Sequence, residues 1–173
     1  AAFGGDNAAA PQPSGQASHK YADLFHAPLK LDVFFDYDEG IAHAEAVGKP
    51  VLIDFTGHAC VNCRKMEASV WPEPDVYALL NEELILIQLY VDDKTALPAD
   101  EQYVSTFSGR TVRTIGNQWS DLQAARFQAN SQPYYVLLDP ATETVLVPPG
   151  GADYDPASYR AFLQSGVAAY NAP

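Results

Sequence analysis

The chain has 173 residues, 47% hydrophobic and 18% charged, enough for one domain with a core of its own and ordinary for a globular protein. Ten Lys and Arg against 22 Asp and Glu leave a net charge of −12, a balance that repels phosphate backbones and argues against nucleic acid as a partner. No apolar run of about 18 residues occurs, so no segment reads as a membrane span. The chain opens Ala1-Ala2-Phe3, without an initiator Met or a charged-then-apolar signal. It is therefore expected to be a piece processed or excised from a longer protein.

Residues 1–18 are rich in Ala, Gly, Pro, Gln and Ser without an apolar period and read as a linker, leaving 19–173 as the domain. Leu31 to Phe35 reads as a short strand. Asp36 is placed to cap a helix running to Val47, with Gly48 as its stop. Val51 to Phe55 is an apolar run broken only by Asp54, the pattern of a strand buried on both faces. The turn Thr56-Gly57-His58-Ala59 leads into a helix from Cys60 to about Val70. A short helix follows from Pro74 to Asn81, then a strand from Leu84 to Val91. The stretch 93–118 is looser, and a helix is expected from Ser120 to Gln128 with Ser120 as its cap. Beyond Pro133, Tyr134 to Leu138 and Thr144 to Val147 read as strands around a turn at Asp139-Pro140. A last helix opens at Asp155-Pro156, its apolar side formed by Tyr159, Phe162, Leu163, Val167 and Tyr170. The order β-α-β-α-β-α-β-β-α predicts an α/β fold with a mixed central sheet flanked by helices.

The two cysteines occur together, in Cys60-Val61-Asn62-Cys63. So small a loop contributes little as a staple, and a reactive role fits better. A thiolate attacks disulfides, and a helix N-terminus stabilises it with free N–H groups and the positive end of the dipole. Cys60, where the buried strand turns into a helix, is the candidate nucleophile. Cys63, one turn inward, is the candidate resolving thiol. Asp54 interrupts a buried run, and Glu67 lies four residues after Cys63, on the same helical side. Both acids are candidate proton carriers for Cys63, with desolvation raising their pKa values. The plainer alternatives are a solvated helix residue for Glu67 and a hydrogen-bonded structural acid for Asp54. A metal module holding copper or zinc through Cys60, Cys63 and His58 is a further alternative, although a closed zinc site needs more ligands than these. His58 otherwise reads as a loop residue.

The run Lys49-Pro-Val-Leu-Ile-Asp54-Phe-Thr-Gly-His-Ala-Cys60-Val-Asn-Cys63-Arg-Lys-Met-Glu67 resembles the thioredoxin superfamily, and most closely the C-terminal thioredoxin-like domain of the DsbD family. The resemblance covers roughly residues 36–170. It matches an acid six residues before the first cysteine, at Asp54, and a second acid at Glu67. Ser131-Gln132-Pro133 before a strand matches the superfamily's cis-proline loop, which implies that Gln132 and Pro133 lie beside the cysteines and bind substrate backbone. Ala59 stands where thioredoxins usually carry Trp, and Val61-Asn62 replaces their Gly-Pro. Seventy residues separate Cys63 from Pro133, where two helices, a strand and short loops need about 40. An insertion near 93–118, before the cis-proline loop, is therefore expected.

The resemblance implies thiol:disulfide interchange without a cofactor or a metal. Its partners would be protein disulfides and dithiols. In the DsbD arrangement a membrane core passes electrons from cytoplasmic thioredoxin to this domain, which reduces another redox domain of the same relay. That domain supplies disulfide isomerases and cytochrome c biogenesis. The expected location is the periplasm, with a tether to the inner membrane through a missing upstream region. The competing reading is a free, secreted thioredoxin-like oxidoreductase.

Overall fold

The computed structural model describes residues 18–173, and the linker reading of residues 1–17 lies outside the described residues. β1 (Val33–Phe34), β3 (Ile85–Tyr90) and β2 (Val51–Thr56) run parallel, β6 (Tyr134–Asp139) pairs antiparallel with β2, and β7 (Thr144–Val145) pairs antiparallel with β6. The sheet order is β1-β3-β2-β6-β7. β2 sits at its centre and is buried at every position, which is why its sequence is nearly continuously apolar. Helices α1 (Tyr37–Val47), α2 (Val61–Ser69), α3 (Pro74–Ala78), α4 (Ile115–Phe127) and α5 (Pro156–Asn171) flank the sheet. This is the expected thioredoxin-like α/β architecture.

The capping chemistry read from sequence sets most boundaries. Asp36 accepts a hydrogen bond from the Glu39 N–H at the start of α1, and Gly48 ends that helix in the left-handed region. The expected helix from Pro74 continues past Ala78 as a wider π-type turn over Leu79–Glu83. The outer strands are shorter than expected: β1 keeps two residues and β7 two, because each lies at a sheet edge with one partner.

The expected start of α4 at Ser120 is corrected. Thr114 is the cap, accepting from the Asn117 N–H, and Ser120 is an exposed position inside the helix. The reason is a close approach at Gly116, where a Cβ would stand 2.5 Å from the Asp93 carbonyl oxygen and 2.7 Å from that of Val91. Only glycine lets the first turn of α4 press against the end of β3.

Between β3 and α4 the chain makes a closed excursion. Its neck is tied by backbone N–H donors: Leu97 to Arg113 O, Ile115 to Thr95 O and Gly116 to Asp93 O, each 2.9 Å. The tip holds a small hairpin, β4 (Tyr103–Val104) with β5 (Thr111–Val112), anchored where Ser105 and Tyr103 donate to the Asp121 carboxylate of α4.

Candidate active site

Cys60 and Cys63 form a disulfide with their Cα atoms 5.3 Å apart. Cys60 is the N-cap of α2, and its Sγ accepts from the Cys63 N–H at 3.2 Å. A sulfur so placed faces the free N–H groups and positive end of the helix, the environment that stabilises a thiolate once the bond is reduced. Cys60 is half-buried, whereas Cys63 is 1% exposed.

The turn that presents Cys60 is held from outside by the end of β3. The Asp92 carboxylate accepts from the His58 N–H at 2.7 Å and the Ala59 N–H at 3.0 Å. His58 turns its Nε2 to Asp93 Oδ2 at 2.8 Å, away from a ligand role with the cysteines, and its ring packs against Phe25 and Tyr90. An open cleft of about 380 Å³ lies over Cys60, lined also by Ala59, Val61, Asn62, Asp92 and Gln132. The Gln132–Pro133 peptide is cis, and Pro133 is buried. Gln123, buried in α4, donates to Ser131 O at 2.9 Å and accepts from Gln132 Nε2 at 3.0 Å, fixing the loop that borders the cleft. On the other flank the Tyr154 hydroxyl donates to Asn62 Oδ1 at 2.8 Å, and Lys65 Nζ stands 4.0 Å over the Tyr154 ring.

The two predicted acids are brought together. Asp54 is 2% exposed, and Gln88 of β3 bridges it to Glu67: Gln88 Nε2 donates to Asp54 Oδ2 at 3.0 Å and to Glu67 Oε1 at 3.1 Å. Arg64 closes the network from the solvent side, its Nη2 donating to Glu67 Oε1 at 3.0 Å and Thr56 Oγ1 at 2.9 Å. Burial pushes the Asp54 pKa up to about 7, with the Gln88 hydrogen bond and the Arg64 charge opposing it and the Glu67 charge adding to it. Burial also raises Glu67, against the pull of Arg64 and Gln88.

Residues 32–140 match the thioredoxin-like family model. The chain belongs to the thioredoxin-like family. Over 67 residues it is 36% identical to the thiol:disulfide interchange protein DsbD of Ralstonia nicotianae, a match that takes 39% of this chain and 10% of that protein. The matched stretch is thus a tenth of the length of that relative. Among solved structures, the DsbH oxidoreductase is similar with a TM-score of 0.57 at 17% identity over 95% of both chains. The oxidised C-terminal domain of Neisseria meningitidis DsbD is similar with a TM-score of 0.52 at 13% identity, covering 78% of this chain and 99% of that one. At these identities the likeness is one of fold.

Within this thioredoxin-like site, Asp92, Gln123 and Tyr154 carried no signal in sequence, and Arg64 only that of a positive charge beside the cysteines. Gln88 left a trace, a single polar residue inside the apolar run Leu84 to Val91. Asp92, Gln123 and Tyr154 act across 33, 8 and 92 residues of chain respectively, and no local pattern reports such pairings.

Proposed function

We propose that this chain is a protein-disulfide reductase working through Cys60 and Cys63, and that it serves as the periplasmic C-terminal domain of a DsbD-type electron relay. The observation that carries the reading is the asymmetry of the pair. Cys60 caps a helix at the floor of an open cleft, and Cys63 is buried on the helix that also carries Glu67, which Gln88 links to Asp54.

The chemistry follows from that asymmetry. In the reduced domain the Cys60 thiolate attacks one sulfur of a partner disulfide. A Cys60–partner bond forms, the partner's S–S bond breaks, and the departing partner sulfur takes a proton from solvent. Cys63 then loses its proton, with the Asp54–Gln88–Glu67 network as acceptor, and attacks the Cys60 sulfur. The Cys60–Cys63 bond forms, the second partner sulfur leaves and is protonated, and two electrons have passed to the partner. Gln132 borders the cleft, and with Pro133 it supplies the backbone edge on which a partner segment docks. The partner is another redox domain of the same relay, leading toward cytochrome c biogenesis, and the membrane tether lies upstream of this chain. Among the described residues no helix is long and apolar enough to cross a membrane.

Trapping tests the reading. Cys63→Ser accumulates a covalent complex with a disulfide-bonded partner protein that reductant releases, and Cys60→Ser does not. A complex from Cys60→Ser alone would reverse the roles. Zinc retained through purification, with neither cysteine open to alkylation, would favour the metal module instead.

A further inference from the structure

A protein partner seated over Cys60 covers more than the cleft. A standard interface takes about 800 Å² of each partner, a disc roughly 16 Å in radius, so the surface around the cleft bears on which partners fit. On the Gln132 side that surface continues into a second groove. Gln132, which lines the cleft, donates from Nε2 to Asn130 O at 3.2 Å. Asn130 in turn lines an open groove of about 310 Å³ with Phe107, Ala124, Gln128 and Ala129, where the end of α4 meets the tip of the excursion. Phe107 and Ala124 also border a hollow of about 320 Å³ that holds Arg110 and Asp121. The openings thus follow one another from Cys60 to the hairpin through shared or hydrogen-bonded residues.

The tip holds an aromatic ring out in water on a fixed backbone. Phe107 is 61% exposed, and an exposed apolar residue alone is ordinary. The turn beneath it is not. Ser105, 2% exposed, accepts at Oγ from the Phe107 N–H at 3.1 Å and the Ser108 N–H at 3.0 Å while donating to the Asp121 carboxylate. The Gly109 N–H closes the turn on Ser105 O at 2.9 Å, with Gly109 in the left-handed region. A ring on so fixed a turn loses little conformational freedom when it is covered, which is how aromatic anchors gain affinity. In the same hollow both oxygens of Asp121 are taken by the hairpin hydroxyls of Tyr103 and Ser105. Among the described residues the exposed Arg110 guanidinium makes no ion pair.

We infer that this groove is a docking surface for the protein whose disulfide reacts at Cys60. It takes the stretch of partner chain beside that disulfide, with apolar side chains against Phe107 and Ala124 and one carboxylate at Arg110. The identity of the occupant rests on the proposed reductase function. Continuity with the cleft selects it. Asn130 and Gln132 are two residues apart, at most about 7 Å, so a partner strand leaving the cleft meets the groove within about two residues. The wall of α4 from Ser120 to Gln128 then runs about 12 Å, which about four extended residues span. The docking residues of the partner therefore lie within about six positions of its reactive cysteine. Charge sets the remaining feature. With a net charge of −12 the chain repels an acidic run, whereas Arg110 offers a carboxylate one local site.

The test uses the oxidised full chain, so both cysteines stay bonded and docking is read apart from thiol exchange. Two short peptides are the probes, each with Ser in place of the reactive cysteine. One carries Leu, Phe and a single Glu within about six residues before that Ser, the other within about six after it. In an NMR titration one of the two is expected to shift the backbone amides of Phe107, Ala124, Gln128 and Asn130 together with those of Cys60 and Gln132. Phe107→Ser and Arg110→Glu are each expected to weaken that binding by about fivefold or more. Both side chains are exposed and outside the bonds that hold the tip, so the variants keep the turn. A control peptide with Ser in place of Leu and Phe leaves the groove amides unmoved. Shifts confined to Cys60 and Gln132, no shift with either peptide, or groove shifts that persist in Phe107→Ser overturn the inference. A dimer seen by sedimentation and abolished by Phe107→Ser overturns it too, since the occupant is then a second copy of this chain. Peptide binding in the groove of a protein whose Cys63→Ser variant traps no partner refutes the reductase reading and leaves the groove.

Discussion

Replacing Asp54 with asparagine removes an ionisation that the fold opposes. The acid has an ordinary pKa of 3.8 in the unfolded chain and one near 7 in the folded protein, chiefly because it is buried. A folded-state pKa above the unfolded one means that the native protein holds a proton the unfolded chain has released. Stability therefore falls as pH rises between the two values. Each pH unit in that window costs about 1.4 kcal/mol, so the full interval costs about 4 kcal/mol, present below pH 3.8 as no penalty and complete above about pH 7. The asparagine variant cannot ionise and keeps the shape and one acceptor for Gln88. Whatever the two proteins differ by at pH 4, the variant should gain on the parent by up to about 4 kcal/mol by pH 8. Urea denaturation of the oxidised proteins across that range measures the difference without interference from free thiols. A difference that is independent of pH, or one that shrinks as pH rises, would refute the placement of Asp54 as a buried acid protonated in the native state.

Mild alkylation of the reduced protein at neutral pH should modify Cys60 before Cys63, read by mass spectrometry of the peptides, because Cys63 is 1% exposed and lacks the N-cap position. Labelling of Cys63 first would overturn the assignment of nucleophile. Asp92→Ala removes the acceptor of two backbone N–H groups in the turn before Cys60 and should lower stability by about 2–3 kcal/mol; Asp92→Asn, which keeps one acceptor oxygen, should lose about half of that in the same urea titration. Replacing residues 97–112 with a short turn keeps the backbone bonds that Ile115 N–H donates to Thr95 O and Gly116 N–H to Asp93 O to close the neck, and should leave reduction of a small disulfide unchanged. Loss of that activity in a folded deletion would show that the hairpin shapes the catalytic centre.

Local chemistry made much of this protein legible without coordinates. An Asp before a helix and a Gly after it mark α1. An apolar run broken only by Asp54 marks the central strand, and the cysteine pair at the junction of strand and helix marks the nucleophile. Each of these signals is carried by residues within one or two turns of the feature it predicts. The mistaken start of α4 shows the limit. Ser120 is a good cap by type, but the helix begins at Thr114 because Gly116 meets the backbone of Asp93 across the excursion, a contact that exists only once the neck has closed.

The same boundary runs through the site. The sequence by itself determined that Cys60 and Cys63 share one helical turn, and that Asp54 and Glu67 stand at spacings able to reach them. Only the tertiary structure decided that Gln88 joins the two acids, that Arg64 caps them, that Asp92 grips the turn, and that Tyr135 stands opposite Asp54 across the sheet. The physical reason is that a pKa depends on what surrounds a carboxyl in three dimensions. Burial and the charges and donors within a few ångströms set it, and in this fold those neighbours come from β3, β6 and α2, segments apart in the chain and brought together only by the folded sheet.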